Sequence, residues 1–126
     1  MMVEEGRAPR VFSNPCAREV ATMAVPGHYK GRHYTEWLDE LDRLYDAGQY
    51  AAYEGLLQAC VDATEAETHA EGFGVAPAYY ERLAVLYRER GDHDAEVGIL
   101  ERFAAQQHAP GVKPARLLER LRKLTT

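Results

Sequence analysis

The sequence predicts an all-α fold of two antiparallel helical hairpins stacked side by side, a C-terminal capping helix and an extended N-terminal arm. The first indication is an internal repeat, in which residues 44–57 recur after about 42–43 residues as residues 86–100. Both copies contain a Leu-Tyr pair, a turn glycine, an alanine, a second glycine and two adjacent aliphatic residues. A period of this size is typical of stacked helical hairpins. Apolar residues at helical spacing, divided by glycines and prolines, also favour helices joined by short turns.

The predicted arm covers residues 1–33, and the predicted helical-repeat domain covers residues 34–126. The arm contains three prolines and three glycines with little periodicity, which indicates an extended segment with a short helical turn around residues 16–23. Two hairpins are fewer than the roughly three repeats that such stacks usually need. We therefore expect apolar residues of the arm to pack onto the protein's own stack or onto a second copy: Val11, Phe12, Val20, Met23 and Val25.

The first hairpin is predicted over residues 35–71. Thr35 is placed to cap its first helix. One face of that helix is apolar over an arc of about 120° and consists of Trp37, Leu38, Leu41, Leu44 and Tyr45. Gly48 is expected to end this helix, and the second helix is expected to run from Tyr50 to Glu71.

The second hairpin is predicted over residues 77–106, and the capping helix over residues 114–124. Pro77 suits the first position of a helix, because its missing N–H costs nothing there. Asp92 is expected to cap the next helix. Broad apolar faces on both helices of this hairpin indicate neighbours on two sides. The last helix has a narrow stripe of leucines opposite basic residues, as expected for an element that closes a stack.

Gly55 and Gly98 occupy matching positions inside the second helix of each hairpin. A glycine inside a helix costs roughly 1 kcal/mol of stability relative to alanine. Its recurrence favours a close approach between helices at both positions, and the alternative is a glycine that is simply tolerated at the surface.

Composition indicates one domain with a single core, and we expect it in the cytoplasm. The chain has 126 residues, 46% hydrophobic and 28% charged, which is ordinary for a globular protein. No apolar run approaches the roughly 20 residues that span a bilayer, and the N-terminus lacks the apolar stretch of a secretion signal. Cys16 and Cys60 are expected to be free thiols, with Cys60 buried inside the first hairpin.

Charge is segregated along the chain. Residues 34–72 contain ten acidic side chains against Arg43 alone, whereas residues 113–126 contain five basic side chains against Glu119. These opposite charges suggest head-to-tail self-association as a homo-oligomer, and the alternative is that both regions are solvated helix faces. The acidic region should repel the phosphates of nucleic acids.

The second copy of the repeat resembles a known family, the tetratricopeptide repeats. It reads Leu83-Ala84-x-x-Tyr87-x-x-x-Gly91-Asp92-His93-x-x-Glu96, which is similar to the first helix, turn and second-helix start of that repeat. The resemblance covers residues 35–106, and residues 114–124 are similar to the family's terminal capping helix. The repeat here is several residues longer than the family's 34. The position that is normally small between the two helices is Tyr53 in one copy and Glu96 in the other.

The resemblance implies a protein–protein interaction module that binds its ligand with the first helix of each hairpin. When the family's groove positions are matched to this sequence, the candidate partner-binding residues are Asp42, Tyr45, Asp46, Glu81, Val85, Arg88 and Glu89. Thr35, Leu38 and Ala78 complete the groove positions. The set lacks the Lys/Arg clamp that the family uses for carboxylate-ended peptides. Tyr45 and Arg88 are the predicted anchors, since aromatic and arginine side chains dominate interfaces, although Tyr45 could equally pack against a neighbouring helix.

No motif for catalysis or for a cofactor is found in the sequence, so we predict a protein that is not an enzyme. Asp62, Glu65 and His69 share one helix face, an arrangement that can ligate a metal in helical bundles. No second helix offers a matching set, so we expect a solvated acidic face and no metal. The alternative function is a nucleic-acid-associated accessory protein that uses the basic final helix and the loop from His28 to His33.

Overall fold

The computed structural model describes residues 25–125. Within that range the chain forms a two-stranded antiparallel ribbon, one turn of 3-10 helix and five α-helices. The strands are β1 (His28–Tyr29) and β2 (Arg32–His33), and the 3-10 turn covers Tyr34–Trp37. The helices are α1 (Leu38–Asp46), α2 (Tyr50–Glu71), α3 (Pro77–Glu89), α4 (His93–Ala104) and α5 (Val112–Thr125). The prediction of an all-α protein is confirmed, with the small ribbon as an addition to it.

Short turns fold α1 against α2 and α3 against α4, giving two antiparallel hairpins. Gly48 and Gly91, each with φ 73°, follow α1 and α3, and glycine in this left-handed conformation ends a helix without strain. Asp92 caps α4 as predicted, because its carboxylate accepts a hydrogen bond from the Ala95 N–H at 3.1 Å. The final helix α5 begins at Val112, slightly before the predicted start, and packs on α3 and α4.

The entry into the first helix differs from the sequence-based expectation. Residues 28–33 form the ribbon of β1 and β2, not part of an extended arm. Thr35 does not act as the helix cap. Instead, its backbone N–H donates to Nδ1 of His33, which caps the 3-10 turn that precedes α1. The expectations for residues 1–24, including a short turn around residues 16–23, lie outside the described residues.

Residues 25–125 share one hydrophobic core, which lies between the helices. Its largest fully buried side chains include Tyr80, Phe103, Leu41, Leu57, Leu83 and Leu100. The rings of Tyr80 and Phe103 meet edge to face with centroids 5.2 Å apart, which joins α3 to α4. Tyr53, Tyr79 and Tyr87 are also buried. Four tyrosines therefore belong to the core.

Gly55 and Gly98 do not mark close helix approaches, so that prediction is wrong. Both are exposed, and a Cβ added at either position would meet no neighbouring heavy atom within 4 Å. A glycine that close approach of another backbone segment does require is Gly74, in the linker between the hairpins. It has φ 93°, and a Cβ there would lie 2.8 Å from the backbone nitrogen of Ala109.

The linker between the hairpins is held against the segment that follows α4. The Val75 N–H donates to the Gln107 carbonyl at 2.8 Å, and the Gln107 side-chain amide donates to the Gly72 carbonyl at 2.8 Å. These bonds fix the linker and the end of α2 relative to the end of the second hairpin.

Candidate protein-binding groove

A groove runs between α1 and α3, and Tyr53 of α2 contributes to its wall. Its volume is about 430 Å³, and it is lined by Asp42, Tyr45, Asp46, Tyr53, Glu81, Arg82, Val85 and Leu86. We call this the α1–α3 groove. The α1 residues share one face because they are spaced by three and four positions, and the α3 residues do so for the same reason.

The seven candidate partner-binding residues do not all lie together. Five of them line the α1–α3 groove: Asp42, Tyr45, Asp46, Glu81 and Val85. Glu89 lies at its rim and lines an adjoining depression with Tyr50, Leu86 and Arg90. Arg88 lines neither cavity; it is found in a separate cleft of about 290 Å³ between α3 and α5.

Tyr45 is both part of the packing and part of the groove. Its ring contacts Tyr50 and Tyr53, with centroids 5.4 Å and 5.2 Å away. Its hydroxyl donates a hydrogen bond to a Glu89 carboxylate oxygen at 3.0 Å, and this bond raises the pKa of Tyr45 above its ordinary value. The bond joins the end of α1 to the end of α3 beside the groove.

The end of the groove at Asp46 and Glu89 carries negative charge. Elsewhere in the groove the acids have cationic partners: Arg82 pairs with Asp42 at 3.0 Å, and Lys113 and Arg116 pair with Glu81. Asp46 and Glu89 have no ion-pair partner among the described residues. They are the last residues of α1 and α3, where the backbone carbonyls already give a helix end a partial negative charge. This end of the groove is therefore suited to a positively charged group.

Arg88 has a structural contact that its prediction as an anchor did not anticipate. Its Nε donates to Glu96 at 3.1 Å, and Nε of Arg120 donates to the same carboxylate oxygen at 2.9 Å. Glu96 is only 2% exposed. Burial by itself would raise the pKa of Glu96, but the two guanidinium groups hold that pKa below its ordinary value. Arg88 thus serves as a counterion for a buried acid that joins α3, α4 and α5.

Three groove residues were missed by the sequence reasoning. Leu86 and Tyr53 could have been found, since both follow the apolar spacing of their helices and Tyr53 replaces the small residue expected there. Arg82 gave no signal, because its place in the groove depends on its ion pair with Asp42 from another helix.

The acidic face formed by Asp62 and Glu65 is not fully solvated, contrary to expectation. Arg102 of α4 pairs with Asp62 at 2.7 Å and with Glu65 at 2.8 Å. The Tyr80 hydroxyl also donates to Glu65, at 2.7 Å. These contacts join α2 to the second hairpin. Within residues 25–125, no group of three or more His, Cys, Asp or Glu side chains is arranged to hold a metal ion.

Basic side chains considered for nucleic-acid binding are engaged within the chain. Nε2 of His33 lies 2.8 Å from Glu67. Arg32 stacks on Trp37, with its guanidinium carbon 4.3 Å from the ring centroid. In α5, basic residues pair with Glu81, Glu96 and Glu119. Phosphate binding at these places would have to compete with existing ion pairs.

Comparison with known proteins adds no further evidence on the site. No protein-family model matches this chain, and neither a curated protein nor a solved structure matches it significantly. No helix among the described residues has the length and apolar character needed to cross a bilayer. The function is therefore inferred from the α1–α3 groove and its charges.

Proposed function

We propose that this protein is a non-catalytic interaction module of the tetratricopeptide type, and that the α1–α3 groove binds a segment of a partner protein. The observation that carries the proposal is the groove itself, which is open, largely apolar and bounded by α1 and α3. Its chemistry favours a segment with a lysine or arginine next to apolar side chains.

The two parts of the groove have different roles in this proposal. Tyr45, Tyr53 and Val85 supply apolar contact area, and rigid aromatic side chains lose little entropy when a ligand binds. Asp46 and Glu89 supply the charge that selects a basic side chain, at helix ends whose dipoles add to the attraction. A nucleic-acid ligand has less support, because the basic residues of α5 are already paired and the groove is acidic.

The experiment starts with capture of proteins on the immobilised full chain and their identification by mass spectrometry. The bound segment of a captured protein is then made as a synthetic peptide, and its Kd is measured by calorimetry. We expect the double variant Asp46→Asn/Glu89→Gln to weaken binding about tenfold or more, as expected for the loss of two charge-assisted contacts. Both replacements keep the side-chain size, and the amide oxygen introduced by Glu89→Gln can still accept the hydrogen bond from Tyr45.

The matched control removes the same charge elsewhere. Glu71→Gln/Glu101→Gln alters two exposed acids that do not line the groove, and should leave the Kd unchanged. Equal weakening by both double variants would indicate only a general electrostatic effect. Binding that is insensitive to the groove variant, or capture that disappears after nuclease treatment, would reject the proposal.

A further inference from the structure

We propose that the chain's own residues 6–18 occupy the α1–α3 groove and so regulate access of a partner to it. This inference rests on the proposed function and adds an occupant to the same site. The occupant is identified by its charge, by its apolar residues and by the length of chain that precedes the described structure.

Residues 6–18 have the chemistry that the groove favours. They contain three arginines, Arg7, Arg10 and Arg18, and no acidic residue. Val11 and Phe12 follow Arg10 directly, so a basic side chain stands next to two apolar ones. The acids nearest in sequence, Glu5 and Glu19, lie just outside this stretch. An arginine can therefore approach Asp46 and Glu89 while Val11 and Phe12 contact the apolar wall.

The preceding chain is long enough to reach the groove. Val25 lines a depression on α2 together with Ala59 and Ala66, and Tyr53 of the same helix lines the groove. Along the helix axis these α2 positions are about 9–20 Å from Tyr53 at ~1.5 Å per residue. Because Ala59 and Ala66 lie on a different side of α2 from Tyr53, the chain must also pass around the helix, and residues 12–25 span up to about 43 Å when extended at ~3.3 Å per residue. The remainder of residues 6–18 can then extend along the groove.

Self-binding needs little intrinsic affinity because the segment is tethered. A short linker gives an effective concentration of about 1 mM. A segment with an intrinsic Kd of about 0.1 mM would therefore occupy the groove in most molecules, and would weaken binding of a competing partner about tenfold. The arginines would also offset the unfavourable placement of two acids at helix carboxyl ends.

The first test compares amide NMR spectra of the full wild-type chain and the full chain with Arg7→Glu/Arg10→Glu. We expect shifts at groove residues, especially Tyr45, Asp46 and Val85, because charge reversal should release the segment. The matched control Lys30→Glu should leave those groove signals in place. Shifts restricted to residues 1–24 would overturn the proposal.

The second test adds a synthetic peptide of residues 4–20 to both full-length proteins. The peptide should shift the groove signals of the Arg7→Glu/Arg10→Glu variant, and bind the wild-type chain about tenfold more weakly. Equal binding to both proteins, or no binding to either, would overturn self-occupancy. Neither result would decide partner binding, which the calorimetric comparison of groove variants tests separately. Groove shifts that depend on protein concentration would instead assign the segment to a second copy, and would reject binding within one chain.

Discussion

Replacing Gly55 and Gly98 with alanine is expected to stabilise the protein, although both glycines recur in the sequence repeat. Each lies inside a helix, α2 or α4, where glycine costs about 0.5–1 kcal/mol relative to alanine. A new Cβ at either site meets no neighbouring heavy atom within 4 Å, so no steric penalty offsets the gain. The two sites lie on different helices, and their effects should add. The double variant should gain about 1–2 kcal/mol in free energy of unfolding.

Urea unfolding followed by circular dichroism measures this gain, with an unchanged m value showing that only stability has altered. The melting temperature should rise by about 4–5 °C for each kcal/mol gained in a domain of this size. Gly74→Ala serves as the opposite control. Its φ of 93° and the contact of its added Cβ with the Ala109 backbone should cost at least about 1 kcal/mol. A lower stability of Gly55→Ala or Gly98→Ala would refute the reasoning, and would indicate that another chain packs closely on these helix faces in solution.

Three further predictions concern buried and paired groups. Arg90 lowers the pKa of Glu54, and cations lower the pKa of Glu81 and Glu96 despite their burial. These acids therefore stabilise the fold above their unfolded pKa near 4.5, and the midpoint of urea unfolding should fall as pH decreases below about 5. The fall should be less steep in the Glu96→Gln variant. Burial raises the pKa of Cys60 to about 11, so its thiol should react slowly at pH 8. In the Cys16→Ser protein, iodoacetamide at pH 8 should modify Cys60 only after unfolding, and mass spectrometry measures this modification. Arg102→Met should lower the free energy of unfolding in urea by about 1–2 kcal/mol, because it removes the ion pairs with Glu65 and Asp62. Arg122→Met removes an ion pair with the exposed Glu119 of the same helix and should cost less than about 0.5 kcal/mol. Equal costs would contradict the assigned role of Arg102.

Local patterns were sufficient to predict most of the helices. Helix boundaries depend on neighbours in sequence: Gly48 and Gly91 end helices, Pro77 begins one, and Asp92 caps one through its own side chain. Such effects act within one turn and can be read without knowing the fold. The entry ribbon escaped prediction because its two short strands depend on contact with α2 for support.

The candidate site was predicted only in part, because periodicity shows which residues share a face but not what faces them. The resemblance to tetratricopeptide repeats gave Asp42, Tyr45 and Asp46 as groove residues, and all three line the α1–α3 groove. Helical spacing did not show that Glu96 is a buried acid that takes Arg88 as its counterion, because that pairing is made across helices. The same spacing could not distinguish a recurring exposed glycine from one at a helix contact.

The sequence by itself determined that the chain is helical, where most of its helices start and stop, and which side chains are available to a core. These properties follow from backbone conformation and from apolar spacing within single segments. Only the tertiary structure decided which charges of residues 25–125 neutralise one another and which, at the end of the α1–α3 groove, have no ion-pair partner within that range. Ion pairing depends on distances of a few ångströms between residues far apart in the chain, and local sequence does not encode those distances.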